Sequence, residues 1–272
     1  MNALIFSAGL GTRLKPLTDT LPKALVPIGG KPLLQWQVER LRAAGITNIV
    51  VNVHHFADKI IEAIREADGW GCTIQVSDER DCLLETGGGL RKAKDLLLRS
   101  YDDQTPILAC NVDILSNIDI QSLCAAYDPH TMGTLVVSQR DTQRYLLFDQ
   151  QHVLRGWTNI ATGEVRPASL QIQHDFQRLA FSGMQILNPA IFNHMDAIMA
   201  VKGDKFSLID LYLSLCSEHI FKAYVPADYR MMDVGKIDQI DEAERFAQSL
   251  QNTFSAGIND FFVKIFAHFK KK

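Results

Sequence analysis

Apolar residues fall along this chain in two patterns, short unbroken runs and runs spaced three or four apart. Ala3-Leu4-Ile5-Phe6 is unbroken and predicts a buried first strand. Lys31-Pro32 then opens a helical pattern in which Leu33, Leu34, Val38 and Leu41 share a face; Pro32 suits a first helical position and Gly45 a C-terminal stop. Ile49-Val50-Val51-Asn52-Val53 predicts a second buried strand, and 56–67 a helix with Phe56, Ile60, Ile61 and Ile64 inward. Ile74-Gln75-Val76 reads as a short strand, Leu90 to Leu98 as a helix, and Ile107-Leu108-Ala109-Cys110 as a strand. Strands alternating with helices imply an α/β fold with a mostly parallel sheet and right-handed crossovers. Such a sheet binds ligands beyond the carboxyl ends of its strands, where Gly9 to Arg13 and Asn111 to Asp113 fall.

The pattern changes over 134–187. Thr134-Leu135-Val136-Val137-Ser138, Tyr145-Leu146-Leu147-Phe148, Val153-Leu154 and Ser169-Leu170-Gln171-Ile172 predict short strands between polar turns, a β-rich lobe over the site. Helices return near 189–199 and 207–217, then a strand at 220–225. Neither repeats nor a linker interrupt the chain, so one domain with two lobes is expected. A tail over 244–269 sets Phe246, Leu250, Phe254, Ile258, Phe261, Phe262, Ile265, Phe266 and Phe269 at helical spacing before three lysines. Such a stripe packs on its own domain or on a second subunit, giving a homo-oligomer, or it lies on a membrane; packing is the expectation.

Composition narrows the class. The chain has 272 residues, 47% hydrophobic and 22% charged, as in ordinary globular proteins. A net charge of −3 provides no basic footprint for nucleic acid. The absence of an 18-residue apolar run argues against stable membrane insertion, and the N-terminus lacks a charged leader region. Cys72, Cys82, Cys110, Cys124 and Cys216 are odd in number and form no Cys-x-x-Cys pair, which suits reduced thiols in the cytoplasm. Cys110 lies in an apolar run and is expected to be a small buried residue.

The chemistry concentrates in 7–27. Gly9 and Gly11 let the backbone approach a ligand, with Arg13 and Lys23 as flanking cations. A glycine turn at a strand end with fixed positive charge suits a polyphosphate. It is not a P-loop, because Thr12-Arg13 follows Gly11 where that motif has a different spacing to Gly-Lys-Ser/Thr. It is not a dinucleotide-binding turn either, because Leu14 occupies the third glycine position.

The full pattern, Gly9-x-Gly11-Thr12-Arg13-x-x-Pro16-x-Thr18 and then Pro22-Lys23-x-Leu25-x-Pro27, resembles the sugar-1-phosphate nucleotidylyltransferases. The resemblance runs from Met1 to about Phe246. It implies a Rossmann-like, glycosyltransferase-A-like nucleotidyltransferase fold over 1–246, with 134–187 as a β-rich sugar-binding lobe and 247–272 as an extension. It also implies that a nucleoside triphosphate and a sugar 1-phosphate, with Mg²⁺, give an NDP-sugar and pyrophosphate. That chemistry needs reactants held in line, phosphate charge neutralised and a metal spanning the phosphates.

By this resemblance Arg13 and Lys23 carry the catalytic charge, and Ala8, Gly9, Gly11 and Thr12 join them in nucleotide binding. Asp113 follows a strand end, as Mg²⁺-binding carboxylates often do, and Asp233 of Asp233-Val234-Gly235 is the second metal ligand implied, with a helix N-cap as its alternative. Val112 stands where relatives carry glycine. Asn111 and Gly183, in Phe181-Ser182-Gly183, are the expected sugar contacts. Glu85-Thr86-Gly87-Gly88-Gly89 reads either as a flexible turn or as a slot in which Glu85, Gly87 and Gly88 hold the base; it looks most like the N-acetylmuramate-1-phosphate uridylyltransferase branch, which implies UTP. Mannose- or heptose-1-phosphate guanylyl transfer, and then hexose-1-phosphate thymidylyl or uridylyl transfer, are the alternatives within the class, and a non-catalytic NDP-sugar sensor the alternative outside it. Glu164-Val165-Arg166-Pro167 is the nearest match to the family's Glu-Lys-Pro, and Arg166 receives no catalytic role.

Overall fold

The structure is a computed structural model that describes residues 1–98 and 104–251. A ten-stranded mixed sheet forms its centre. Asn2–Phe6 pairs in parallel with Asn48–Val53 on one side and Ile107–Asn111 on the other, and Asn48–Val53 pairs in parallel with Thr73–Asp78. These runs are apolar on successive residues because both faces of the sheet are covered. Ala3 and Ile5 join one buried cluster with Leu34, Val38, Leu41 and Ile60, whereas Leu4 and Phe6 join another with Leu90, Leu97 and Leu211. The helices Leu33–Ala43 and Ala57–Glu66 therefore lie on one face, and Glu85–Lys92, Lys94–Leu98 and Leu208–Leu215 on the other.

One long strand joins the two lobes. Gln177–Leu187 spans 11 residues. Its second half runs antiparallel to Ile107–Asn111 and Gly133–Ser138; its first half pairs with Arg144–Phe148, which continues the sheet through Leu154–Asn159 to Glu164–Arg166. The β-rich lobe is thus an outgrowth of the central sheet, and it is positioned by that sheet.

Several local expectations change. Lys31–Pro32 forms a short antiparallel ladder with Pro27–Ile28, and Pro32 caps a helix that starts at Leu33. The run 169–172 forms no strand; Leu170 is held by a turn, its N–H donating to Pro167 O at 2.9 Å. The Leu90–Leu98 pattern belongs to two helices broken at Ala93, the first of which starts at Glu85. Pro189–His194 is a 3-10 turn leading into Met195–Lys202, with the Asn188 side chain accepting from the Ala190 N–H.

A helix over 240–251 crosses the position expected to separate domain from extension. Ala243, Ala247 and Leu250 are buried in the main core, and the Gly29 N–H donates to Glu244 Oε2 at 2.7 Å. This part of the apolar stripe packs on its own domain, as expected of the stripe. Phe254 and the later positions lie outside the described residues. Among the described residues no helix is long and apolar enough to cross a membrane.

The triple glycine has a packing explanation. A Cβ on Gly87 would stand 2.4 Å from the Phe206 ring, and one on Gly88 would stand 2.2 Å from the Asp204 carbonyl oxygen. Alanine is ordinarily worth about 1 kcal/mol over glycine in a helix, but here the backbone of 204–206 occupies the space. Gly88→Ala is therefore expected to destabilise the fold by about 1–3 kcal/mol, read by denaturant unfolding. Equal or increased stability contradicts this packing.

Candidate active site

The first strand ends at Phe6, and a cavity of about 560 Å³ opens beyond it. Its wall includes Ala8, Gly9, Gly11, Thr12, Arg13, Lys23, Glu85, Asn111 and Asp113, so most of the residues singled out in the sequence meet at the carboxyl ends of the parallel strands. Gly9 has open space around its absent Cβ, whereas Gly11 is in the left-handed region at φ 64°. A side chain on Gly11 would collide with Thr18 and Lys23. The Thr18 hydroxyl donates to Gly11 O at 2.8 Å, which explains the threonine of the motif.

Lys23 is nearly buried, 9% exposed, and its ammonium pairs with the Asp113 carboxylate. Asp113 is fixed from both directions. The Val112 N–H donates to Phe6 O at 3.1 Å, and Asp113 O accepts from the Val234 N–H at 2.9 Å. The latter bond continues a small antiparallel ladder in which Met231–Asp233 pairs with Ile114–Ser116. The ladder brings Asp233 beside Asp113. A Cβ on Gly235 would lie 2.8 Å from Asp233 Oδ1 and 3.0 Å from an Arg13 guanidinium nitrogen, so the missing side chain leaves room for both groups. The cap of the following 3-10 turn is Lys236, so Asp233 does not serve as an N-cap.

The electrostatics match this convergence. Asp233 keeps solvent access as a residue, yet loss of water around its carboxylate raises its pKa, and the Asp113 charge raises it further. Lys23, Arg13 and Arg140 act in the opposite direction. Two carboxylates that repel each other, with Lys23 and Arg13 beside them, form an oxygen donor pair of the kind that suits a divalent ion. Among the described residues no group of three or more His, Cys, Asp or Glu forms a closed cage. Mg²⁺ suits this donor set, because it takes one or two protein carboxylates and completes its shell with water and phosphate.

Other expected residues have different surroundings. Gly87 and Gly88 do not line the cavity: both N–H groups donate to Phe206 O, at 2.9 and 3.2 Å, so the slot expected to hold the base is filled by the chain itself. Glu85, at φ 61°, does reach the wall. Gly183 sits outside the wall at a bulge, with φ 71°, where a Cβ would be 3.0 Å from Asn111 Nδ2; the two sugar-binding candidates are neighbours. Val112 is part of the hydrophobic core, 4% exposed. Burial pushes the Cys110 thiol up to about 12, as befits an inert core residue. Arg166 lies over the Trp157 ring at 4.2 Å and pairs with Asp210 at 2.8 Å.

Sequence reasoning passed over Asn52, Thr86 and Ser207 of the wall. The Thr86 hydroxyl accepts from the Leu208 N–H at 2.9 Å. It also passed over the supports beneath the aspartates: Gln37 Nε2 donates to Ile114 O at 2.7 Å, and Arg40 donates to the Ser116 hydroxyl at 3.0 Å. A polar residue on the inward face of an apolar helix was the available signal for both. A larger concavity of about 910 Å³, walled by residues including Asp149, Arg155, Pro167, Asp175 and Ser217, contains none of the residues expected to bind nucleotide, metal or sugar.

This fold and site define a class. Residues 2–249 match the nucleotidyl transferase family, and the chain belongs to the sugar-1-phosphate nucleotidylyltransferases. It is 34% identical over 200 residues to the N-acetylmuramate alpha-1-phosphate uridylyltransferase of Caulobacter vibrioides, covering 70% of this chain and 76% of that protein. It is 39% identical over 141 residues to the mannose-1-phosphate guanyltransferase of Schizosaccharomyces pombe, covering 51% of this chain and 38% of that protein. A structure of UDP-glucose pyrophosphorylase bound to UDP-glucose shares the fold, with a TM-score of 0.71 at 17% identity over 91% of this chain and 98% of that one.

Removing the Asp113 charge takes repulsion from Asp233 and frees Lys23 to act on it. Asp113→Asn is therefore expected to lower the Asp233 pKa, followed by carboxyl ¹³C NMR titration. An unchanged or higher value contradicts the proximity of the two groups.

Proposed function

We propose that the protein is a cytoplasmic, Mg²⁺-dependent uridylyltransferase that joins UTP to N-acetylmuramate 1-phosphate, in the recycling of cell-wall sugars. The observation that carries this reading is the meeting of Lys23, Asp113, Asp233 and Arg13 at the mouth of the glycine-loop cavity. The choice of UTP and of the muramyl sugar is supported by the Caulobacter relative, which matches most of the chain.

The loop Ala8–Thr12 lies against the triphosphate, with its backbone free to follow the phosphate oxygens at Gly9. Arg13 presents a forked set of donors, suited to a polyphosphate. Lys23 is a point charge beside Asp113 and stabilises the negative charge that builds at the α-phosphorus. Asp113 and Asp233 would hold Mg²⁺, which would supply further neutralisation of phosphate charge. Asn111 and the Gly183 bulge face the sugar half. An oxygen of the sugar phosphate attacks the α-phosphorus, the bond to the β-phosphate oxygen breaks, and pyrophosphate leaves with the electron pair. The sugar phosphate is itself the nucleophile, so no covalent enzyme intermediate is required.

Pyrophosphate release across a panel of nucleoside triphosphates and sugar 1-phosphates tests this reading. UTP with N-acetylmuramate 1-phosphate is expected to be fastest, and Lys23→Ala or Asp113→Ala to lower turnover by about two to three orders of magnitude. GTP outperforming UTP with every sugar phosphate contradicts the nucleotide. Near-wild-type rates in either variant contradict the role of that residue. NDP-sugar binding without turnover on any pair points to a sensor.

A further inference from the structure

Glu79 is the most deeply buried carboxylate beside the cavity, at 0% exposure, and it forms no part of the cavity wall. It belongs to a chain of hydrogen bonds that joins two walls. The Ser7 N–H donates to Asn52 Oδ1 at 2.6 Å, Asn52 Nδ2 donates to Glu79 Oε1 at 2.8 Å, and the Leu84 N–H donates to Glu79 Oε2 at 3.3 Å. Helix Glu85–Lys92 closes over the pair at Gly89, where a Cβ would stand 2.8 Å from Glu79 Oε1 and 3.0 Å from Asn52 Nδ2.

Donor counting explains the composition of the chain. Backbone N–H groups stand at both ends and can only donate. One amide and one ionised carboxylate between them satisfy every group. Two amides leave a donor facing a donor however they are flipped, and two carboxylates face each other acceptor to acceptor. Burial opposes the charge on Glu79 and raises its pKa, against the pull of the Asn52 and Leu84 bonds and the charges of Lys92 and His54.

We propose that Glu79 is a positioning residue for the nucleotide. Through Asn52 it sets the Ser7 end of the phosphate loop, and directly it sets the turn at Leu83–Thr86, so the two walls keep the separation that a nucleoside triphosphate needs. Ser7, Asn52, Leu83 and Thr86 all line the cavity. The inference rests on the nucleotide reading above and adds a residue that never touches substrate.

The test is steady-state kinetics and calorimetry on Glu79→Gln, Asn52→Asp and the double variant, using the triphosphate that the wild type turns over. Glu79→Gln leaves one donor unsatisfied. It is expected to raise the KM and Kd for the triphosphate about tenfold, with kcat within about threefold and the KM for the sugar phosphate unchanged. The double variant reverses the middle bond and satisfies the count again, so it is expected to bind the triphosphate more tightly than either single variant. Unchanged KM and Kd in Glu79→Gln overturn the proposal. So does a fall in kcat and melting temperature with both KM values unmoved, or a double variant no better than the singles. Calorimetry needs no turnover, so a wild type that binds UTP but transfers nothing contradicts the proposed reaction while the binding comparison still decides the role of Glu79.

Discussion

The ion pair between Lys23 and Asp113 is the contact on which the site depends. Asp113 would be repelled by Asp233 if nothing positive lay between strand and loop, and Lys23 would be an uncompensated charge at 9% exposure without Asp113. Each partner makes the other tolerable in the resting protein. The pair also ties the glycine loop to the end of the fourth parallel strand, because Lys23 sits in the 3-10 turn that closes the loop and Asp113 follows Ile107–Asn111. In the proposed reaction a polyphosphate with Mg²⁺ would offer both residues a better partner. The resting contact therefore holds the geometry without locking it.

Two further linkages bring the halves of the molecule to this point. The Met231–Asp233 ladder carries the second carboxylate across from a position 120 residues later in the chain. The segment 204–210 connects the Glu85–Thr86 side of the cavity to the β-rich lobe: Phe206 O takes the Gly87 and Gly88 N–H groups, Leu208 donates to Thr86, and Asp210 holds Arg166 of the lobe. The β-rich lobe and the turn at Glu85–Gly88 are thus joined through one short stretch of chain, with Ser207 on the cavity wall.

What the sequence made legible was local. The unbroken run Ala3–Phe6, the left-handed Gly11 and the strand before Asp113 each carry their signal within a few residues, so the loop and its strand ends could be read directly. The meeting of Asp113 with Asp233 could not, because it depends on a long-range ladder with no periodic signature. The surroundings of Gly87 and Gly88 were hidden for a related reason. Glycine signals close approach without saying of what, and here the neighbour is Phe206 and Asp204 of the same chain. Asn52 and Glu79 escaped notice because a polar residue at the end of an apolar strand looks like an ordinary boundary until its partners are known.

The most direct measurement is a crystal structure with a non-hydrolysable UTP analogue and Mn²⁺ in place of Mg²⁺, the ion located by its anomalous scattering. One ion held by carboxylate oxygens of both Asp113 and Asp233, with Lys23 turned from Asp113 onto a phosphate, is the expected result. An ion bound away from either aspartate, or a Lys23–Asp113 pair left intact with the nucleotide in place, contradicts it.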